Sequence, residues 1–352
     1  MVPKNPQPRL KDIAESLGLH KSTVSLALNG SPKIADDTRD KILAAAKAMG
    51  YFPDPTAQKL AHMRQNKVQK SLIPLAWLNL DPFQDYWHRF HAQNEYFSGA
   101  HERANQLGYY LDEHWIHSEG MNFKRLVGIL KSRGIEGVII PLYFHANEDL
   151  HQELFEEFSV VTLAHVPRTR YFDHVRPDFC YNMLLVTEQL KRDGIKRIGL
   201  VIKDGFDATT NGYSSAMYLY YQQSIPIKDR IPPCFVSLNN QNLPKKIREY
   251  RDYIEKWKPE VIISRDYPAV EIIEKAGFKV PDDLQLVHLQ VTEENSSFAG
   301  IREQARVIGA SAVDWIVQKI QHTQEDSINH PKEILVKGVW QDGFTYLGSG
   351  SS

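Results

Sequence analysis

Lys21, Ser22, Thr23 and Ser25 put one ammonium and three hydroxyls within five residues of each other. A lysine can donate to guanine O6/N7, and a serine hydroxyl can pair with several bases. Threonine and serine also suit phosphate oxygens, which position a protein on a duplex without reading its sequence. Two other sets of residues carry chemistry. His88 with His91, and His114 with His117, have the spacing of metal pairs, but neither comes with an arranged third ligand, so no metal is expected. Residues 79–97, NLDPFQDYWHRFHAQNEYF, are unusually aromatic. Together with the preceding Trp77 they offer Trp77, Asp81, Phe83, Tyr86 and Trp87 as flat faces and polar groups for a small molecule such as a sugar. No zinc-protease, nucleophile-elbow, P-loop or dinucleotide motif is present, so neither enzymatic activity nor a cofactor is expected.

The hydroxyl cluster needs a helix to present it. Apolar spacing predicts helices over Leu10–Leu17, with Ile13, Ala14 and Leu17 on one face, and over Lys21–Leu28, with Val24, Ala27 and Leu28 inward. A third runs over Asp36–Met49, with Ile42, Leu43, Ala46 and Met49 inward. Gly18 suits a left-handed helix end, and Asn29-Gly30 and Gly50 break the chain. Two short helices joined by a tight glycine turn make a helix-turn-helix, whose second helix fits the major groove. Lys21, Ser22 and Ser25 then project outward. Arg9 and His20 stand where a hydroxyl cap is usual, and each missing cap costs about 1 kcal/mol.

The remainder sets the frame. The chain has 352 residues, 42% hydrophobic and 24% charged, an ordinary globular composition with room for two or three domains. Residues 1–70 carry twelve Lys/Arg against six Asp/Glu, while the other residues carry 30 against 37. A basic arm on an acidic body confines polyanion contact to the arm. From Ser71, apolar runs such as LIPLAWLNL, IEGVIIPL, KRIGLVI and LQLVHLQV alternate with amphipathic helical segments, which implies parallel sheets covered on both faces. There are too many units for one sheet, so two α/β lobes are expected, with small-molecule binding at the C-terminal ends of their strands. A helix over Glu303–Ile320 carries an apolar stripe from Ala305 to Ile320. Two cysteines, no secretory signal and no membrane-length apolar run lead us to expect a cytoplasmic protein.

The segment KDIAESLGLHKSTVSLALNGSPKIADDTRDKILAAAKAMGYFPDPTAQKLA resembles the DNA-binding headpiece of the lactose-repressor/galactose-repressor family. The resemblance rests on Lys11-Asp12-Ile13-Ala14, Gly18, Thr23-Val24-Ser25, Asn29, Ile34, Thr38-Arg39, Gly50-Tyr51, Pro53 and Ala57-Gln58-Lys59-Leu60-Ala61. It continues more loosely through Asp178, residues 188–201, Asn211-Gly212-Tyr213, Asp266 and residues 276–287, 301–317 and 333–343. It implies an all-α helix-turn-helix headpiece plus an α/β two-lobed, periplasmic-binding-protein-like (type I) effector domain. The expected boundaries are an arm at 1–8, the headpiece at 9–55, a hinge helix and linker at 56–70, the body at 71–346 and a tail at 347–352. Within the body, the N-lobe is expected over about 71–167 and 298–324, and the C-lobe over about 168–297 and 325–346.

By that resemblance Lys21 and Ser22 read bases, with Thr23, Ser25 and Asn29 also on DNA. Leu26 holds a position often occupied by a polar reader, where it can touch a thymine methyl. Leu60, on a hinge helix near 56–62, would wedge into the minor groove. Asn211 and Asp266 fall where the family contacts its effector, joining Trp77, Asp81, Tyr86 and Trp87. Thr209 stands where many sugar-binding relatives have an arginine, for which Lys203 or Arg265 are the available substitutes. The implied protein is a homodimeric regulator, most simply a repressor of carbohydrate-metabolism genes, that binds a pseudo-palindromic operator and a sugar-like effector. A solute-binding protein without DNA function and a carbohydrate-active enzyme are the alternatives.

Overall fold

Apolar residues at helical spacing close a small core in the computed structural model. It describes residues 10–28, 34–49, 51, 72–85, 91–141, 157–163, 172–236, 243–266, 268–293, 295–321 and 331–348. The chain divides into two units, Met1–Ser71 and Leu72–Ser352. In the first, α1 (Leu10–Leu17), α2 (Lys21–Leu28) and α3 (Asp36–Ala48) bury Ile13, Ala14, Val24, Ala27, Ile42 and Ala46. Gly18 ends α1 at φ +64°, and Leu19 N–H returns to the Ala14 carbonyl at 2.9 Å. Leu43 and Met49, expected inward, are instead 46% and 37% exposed. Ile42 and Ala46 lie one turn apart on the inner face. Leu43 is rotated about 100° from Ile42, and Met49 lies past the helix end. The expected hinge helix and linker at 56–70 lie outside the described residues.

Among the described residues, the second unit holds two six-stranded sheets. The first is built from β1 (Ile73–Asn79), β2 (Tyr109–Trp115), β3 (Gly137–Ile140), β4 (Ser159–Thr162), β5 (Asp173–Pro177) and β11 (Glu333–Val336). Its order is β11-β5-β4-β3-β1-β2, and every pairing is parallel. One face packs against α4 (His91–Leu107) and α11 (Ala305–Gln321), the other against α5 (Phe123–Ser132). The second sheet is built from β6 (Ile198–Lys203), β7 (Cys234–Val236), β8 (Val261–Ser264), β9 (Gln285–Val291), β10 (Gly300–Arg302) and β12 (Val339–Gln341). Its order is β12-β10-β9-β8-β6-β7, and only the β10–β12 pairing is antiparallel. It lies between α6 (Phe179–Arg192) with α8 (Tyr213–Gln223) and α9 (Leu243–Trp257) with α10 (Ala269–Lys275). The central strands β3, β5, β6 and β8 are buried on both faces, as parallel sheets require, while β2, β7, β11 and β12 are partly exposed.

The lobe boundaries differ from those expected. β5 pairs with β4, and β11 with β5, so residues 173–177 and 333–336 belong to the first lobe rather than the second. β10 pairs with β9, so residues 300–302 belong to the second lobe rather than the first. The chain therefore crosses between lobes three times, within 177–179, 302–305 and 336–339. Each crossing follows directly on the end of a paired strand, where the last ladder bond releases the backbone.

Glycines set the distance between α4 and α11. A Cβ on Gly309 would lie 1.9 Å from the Tyr96 carbonyl oxygen, and one on Gly99 would lie 2.0 Å from that of Arg306. The two backbones touch without side chains between them, and Ala100, Ala104, Ala305 and Ala312 complete the contact.

Candidate DNA-reading surface and ligand site

Packing Val24 and Ala27 inward turns Lys21 and Ser22 to solvent, while Thr23 is half-buried. Leu26 is 40% exposed on the same helix, so an apolar side chain stands beside the polar ones. Asn29, Leu60 and the Ser25 side chain lie outside what is described. The missing cap expected at His20 is corrected by the ring itself. His20 Nδ1 accepts from the Ser22 backbone N–H at 3.4 Å and lies 2.7 Å from Ser22 Oγ, standing in for a capping oxygen.

In the body, several expected ligand groups are already engaged. Trp77 is 1% exposed and meets Phe97 edge-on at 5.2 Å, so the structure makes it a core side chain rather than a sugar platform. Alternation along β1 dictates this, because Leu75 and Trp77 share the face covered by α4 and α11. Asp81 is buried, and its Oδ1 accepts from Phe83 N–H at 2.9 Å, which tightens the loop after β1. Phe83 is exposed, and Tyr86 and Trp87 lie outside the described residues. Asn211 is exposed, at φ +52° in the turn between α7 (Asp204–Thr209) and α8.

Asp266 is buried and clamped. Lys246 Nζ donates to its Oδ2 at 2.7 Å, and Lys203 Nζ lies 2.9 Å from Oδ1, close enough to pair though poorly aligned for a hydrogen bond. An Asp266 carboxylate held by two lysines is committed to the fold, and Lys203 is committed with it. Arg265, the other substitute considered for the missing arginine, is engaged as well. It donates to Glu303 Oε1 at 2.6 Å and lies over the rings of Phe206 at 4.6 Å and Phe179 at 5.3 Å. Gln290 donates to the other Glu303 oxygen at 2.8 Å.

Sequence reasoning missed a neighbouring group. Arg176, at the end of β5, donates to Glu333 Oε2 at 2.7 Å and lies 4.6 Å over the ring of Tyr213 and 5.7 Å over that of Phe179. Strand β5 belongs to the first sheet and Tyr213 opens α8 of the second lobe, so this stack joins the two lobes. Phe179 thus meets two guanidinium groups at the first crossing. The available signal was Asp178, whose carboxylate caps α6 by accepting from Tyr181 N–H at 2.9 Å.

His288 completes the strand-end cluster. Its Nδ1 accepts from Gln290 N–H at 3.1 Å, and its Nε2 faces the Asp266 carbonyl at 3.2 Å. Burial lowers its pKa to about 4, with Arg265 also disfavouring the cation. Unfolded, the ring takes a proton near its ordinary value of about 6.5. Folding stability is therefore fully present above about pH 6.5 and is lost as pH falls towards 4, by a total of about 3 kcal/mol. Urea denaturation at pH 7.5 and pH 5 should show this loss, and His288→Gln should reduce the difference between the two. An equal pH response in the variant would mean that other groups carry it.

His114 and His117 face other partners, while His88 and the His91 side chain lie outside the described residues. His114 Nε2 lies 3.1 Å from Asp112, and His117 Nε2 lies 3.2 Å from the Leu80 carbonyl. Among the described residues no group of three or more His, Cys, Asp or Glu is placed to hold a metal, and no helix is long and apolar enough to cross a membrane.

Comparison with known proteins matches residues 9–54 to the family model of bacterial regulatory proteins, lacI family. The regulator pepR1 of Lactobacillus delbrueckii subsp. lactis is 21% identical over 340 residues, covering 93% of this chain and 96% of pepR1. Residues 9–54 are thus a lacI-family DNA-binding headpiece. A stronger but shorter match, 30% over 158 residues, is to the regulator AglR of Rhizobium meliloti (strain 1021), covering 44% of this chain and 40% of AglR. The crystal structure of the lac repressor dimer bound to operator and the anti-inducer ONPF shares the fold, at a TM-score of 0.58 and 19% identity. That likeness covers 97% of this chain and 99% of the repressor chain. The protein is a DNA-binding transcriptional regulator, with a lacI-type headpiece and a body that shares the two-lobed α/β fold of the lac repressor.

Proposed function

We propose that this regulator is a homodimeric repressor of carbohydrate-metabolism genes, laying α2 of each copy in the major groove of a pseudo-palindromic operator. The observation that carries this reading is the exposed Lys21–Ser22 pair on α2, set within the segment that matches the family. Lys21 donates to guanine, Ser22 contacts a neighbouring base, Leu26 meets a thymine methyl, and Thr23, Ser25 and Asn29 hold phosphates. Leu60 wedges the minor groove between the half-sites. A sugar or sugar derivative binds at the strand ends of the body, contacted by Asn211 and by groups around Arg265 and Tyr213, and shifts the lobes between two arrangements of different operator affinity. Catalysis has no part in this reading, and the relatives are regulators by name.

Gel shifts with the DNA upstream of its own gene test it. Specific affinity should fall steeply with salt as counterions are released. Lys21→Ala should narrow the gap between the preferred and a guanine-substituted site by about 1–3 kcal/mol. A uniform loss across sequences would make Lys21 a phosphate contact, and a flat salt response would defeat the DNA-bound arrangement.

A further inference from the structure

The Ser22 hydroxyl is exposed on α2, and His20 restrains its direction. Ring Nδ1 of His20 lies 2.7 Å from Ser22 Oγ and 3.4 Å from the Ser22 backbone nitrogen. A backbone N–H can only donate, so the ring nitrogen it faces presents a lone pair rather than a hydrogen. The ring is then the neutral form protonated at Nε2, and in the short contact the serine hydroxyl is the donor. The exposed Ser22 Oγ keeps its two lone pairs as acceptors, and its hydrogen is committed to the ring.

We propose that His20 is a positioning residue for base reading, which makes Ser22 an acceptor on DNA and matches it to adenine N6 or cytosine N4. Guanine and thymine present acceptors in the major groove. Facing Ser22 they would set oxygen against oxygen, with no hydrogen between. Lys21, next in the chain, can only donate and reads the opposite pattern. The two adjacent side chains thus divide the groove by polarity, and the division is set by a residue at the helix start. This inference rests on α2 reading the major groove, as proposed above.

The test is selection of operators from a randomised DNA library by the full-length chain. Wild type should favour A or C over T or G by about fivefold at one position of each half-site, the discrimination of a single hydrogen bond. Ser22→Ala identifies that position by abolishing the preference there. His20→Gly, a residue well tolerated at a helix start, should reduce the same preference to under twofold and leave the other positions intact. His20→Asn, whose Oδ1 offers an acceptor at similar reach, should retain it. A wild-type preference for G or T at that position overturns the proposal. So does a His20→Gly variant that keeps the preference or weakens all sequences equally. A wild-type chain that selects no sequence would instead defeat the major-groove reading on which the inference rests.

Discussion

Asp266→Ala should cost the body about 3–5 kcal/mol, because it strands a buried ammonium. Lys246 is almost fully buried with its nitrogen 2.7 Å from the carboxylate, and Lys203 approaches the other oxygen from a more open position. Removing the carboxylate leaves two positive charges together and one of them without water. Lys246→Met should be milder, since Asp266 keeps Lys203 and the lysine stem is replaced by apolar volume. Adding Lys246→Met to Asp266→Ala should recover much of the loss, because no unpaired ammonium then remains buried. Chemical denaturation of the three variants measures this. A loss below about 1 kcal/mol for Asp266→Ala would mean that both lysines reach solvent in its absence. The same experiment separates a structural aspartate from an effector-binding one, whose loss would weaken ligand binding and leave the denaturation midpoint in place.

Gly309→Val should destabilise the first lobe by about 3 kcal/mol, the upper range for overpacking. A Cβ there would lie 1.9 Å from a backbone oxygen of α4, which has no rotamer to move aside. The helices would have to separate by more than 1 Å, opening the seam lined by Tyr96, Ala100, Ala305 and Ala312. Gly128, inside α5 with nothing near its Cβ position, is the internal control. Gly128→Ala should stabilise by about 0.5–1 kcal/mol through helix propensity alone. Thermal melts of both variants test the pair. Equal behaviour at the two positions would show that the α4–α11 seam gives way easily.

Much of the fold was legible because period carried it. α1 and α2 fall on the residues their apolar spacing predicts, and α11 buries the stripe seen from Ala305 to Val317. The runs IPLAWLN and VIIS read as strands, and they are buried on both faces from Leu75 and from Val261 onward. Strand β5 was not legible, because its sequence is DHVRP and all five residues are buried. Its polar groups find partners far away in the chain. Asp173 accepts from Trp315 Nε1, Lys319 and the Lys332 backbone at 2.7–2.8 Å, His174 contacts Thr162, and Arg176 reaches Glu333. Missing that strand displaced the first expected crossing between the lobes. The candidate ligand residues misled for a related reason. Residue type marks Trp77 and Asp266 as binding groups, but only three-dimensional neighbours show that α4 and two lysines already occupy them. His20 was misread because cap preferences count side-chain oxygens, and a ring nitrogen can serve in their place.

The three passes between lobes have a consequence for how the body is made. Strand β11 forms one edge of the first sheet and β12 forms one edge of the second, and both lie within residues 331–348. A ribosome releases these two strands after every other strand of both sheets. Neither lobe can mature while its neighbour is still being translated, as domains encoded in separate blocks can. Until the final segment docks, β5 and β10 each lack a partner strand. Both lobes thus take their last strands from one C-terminal segment.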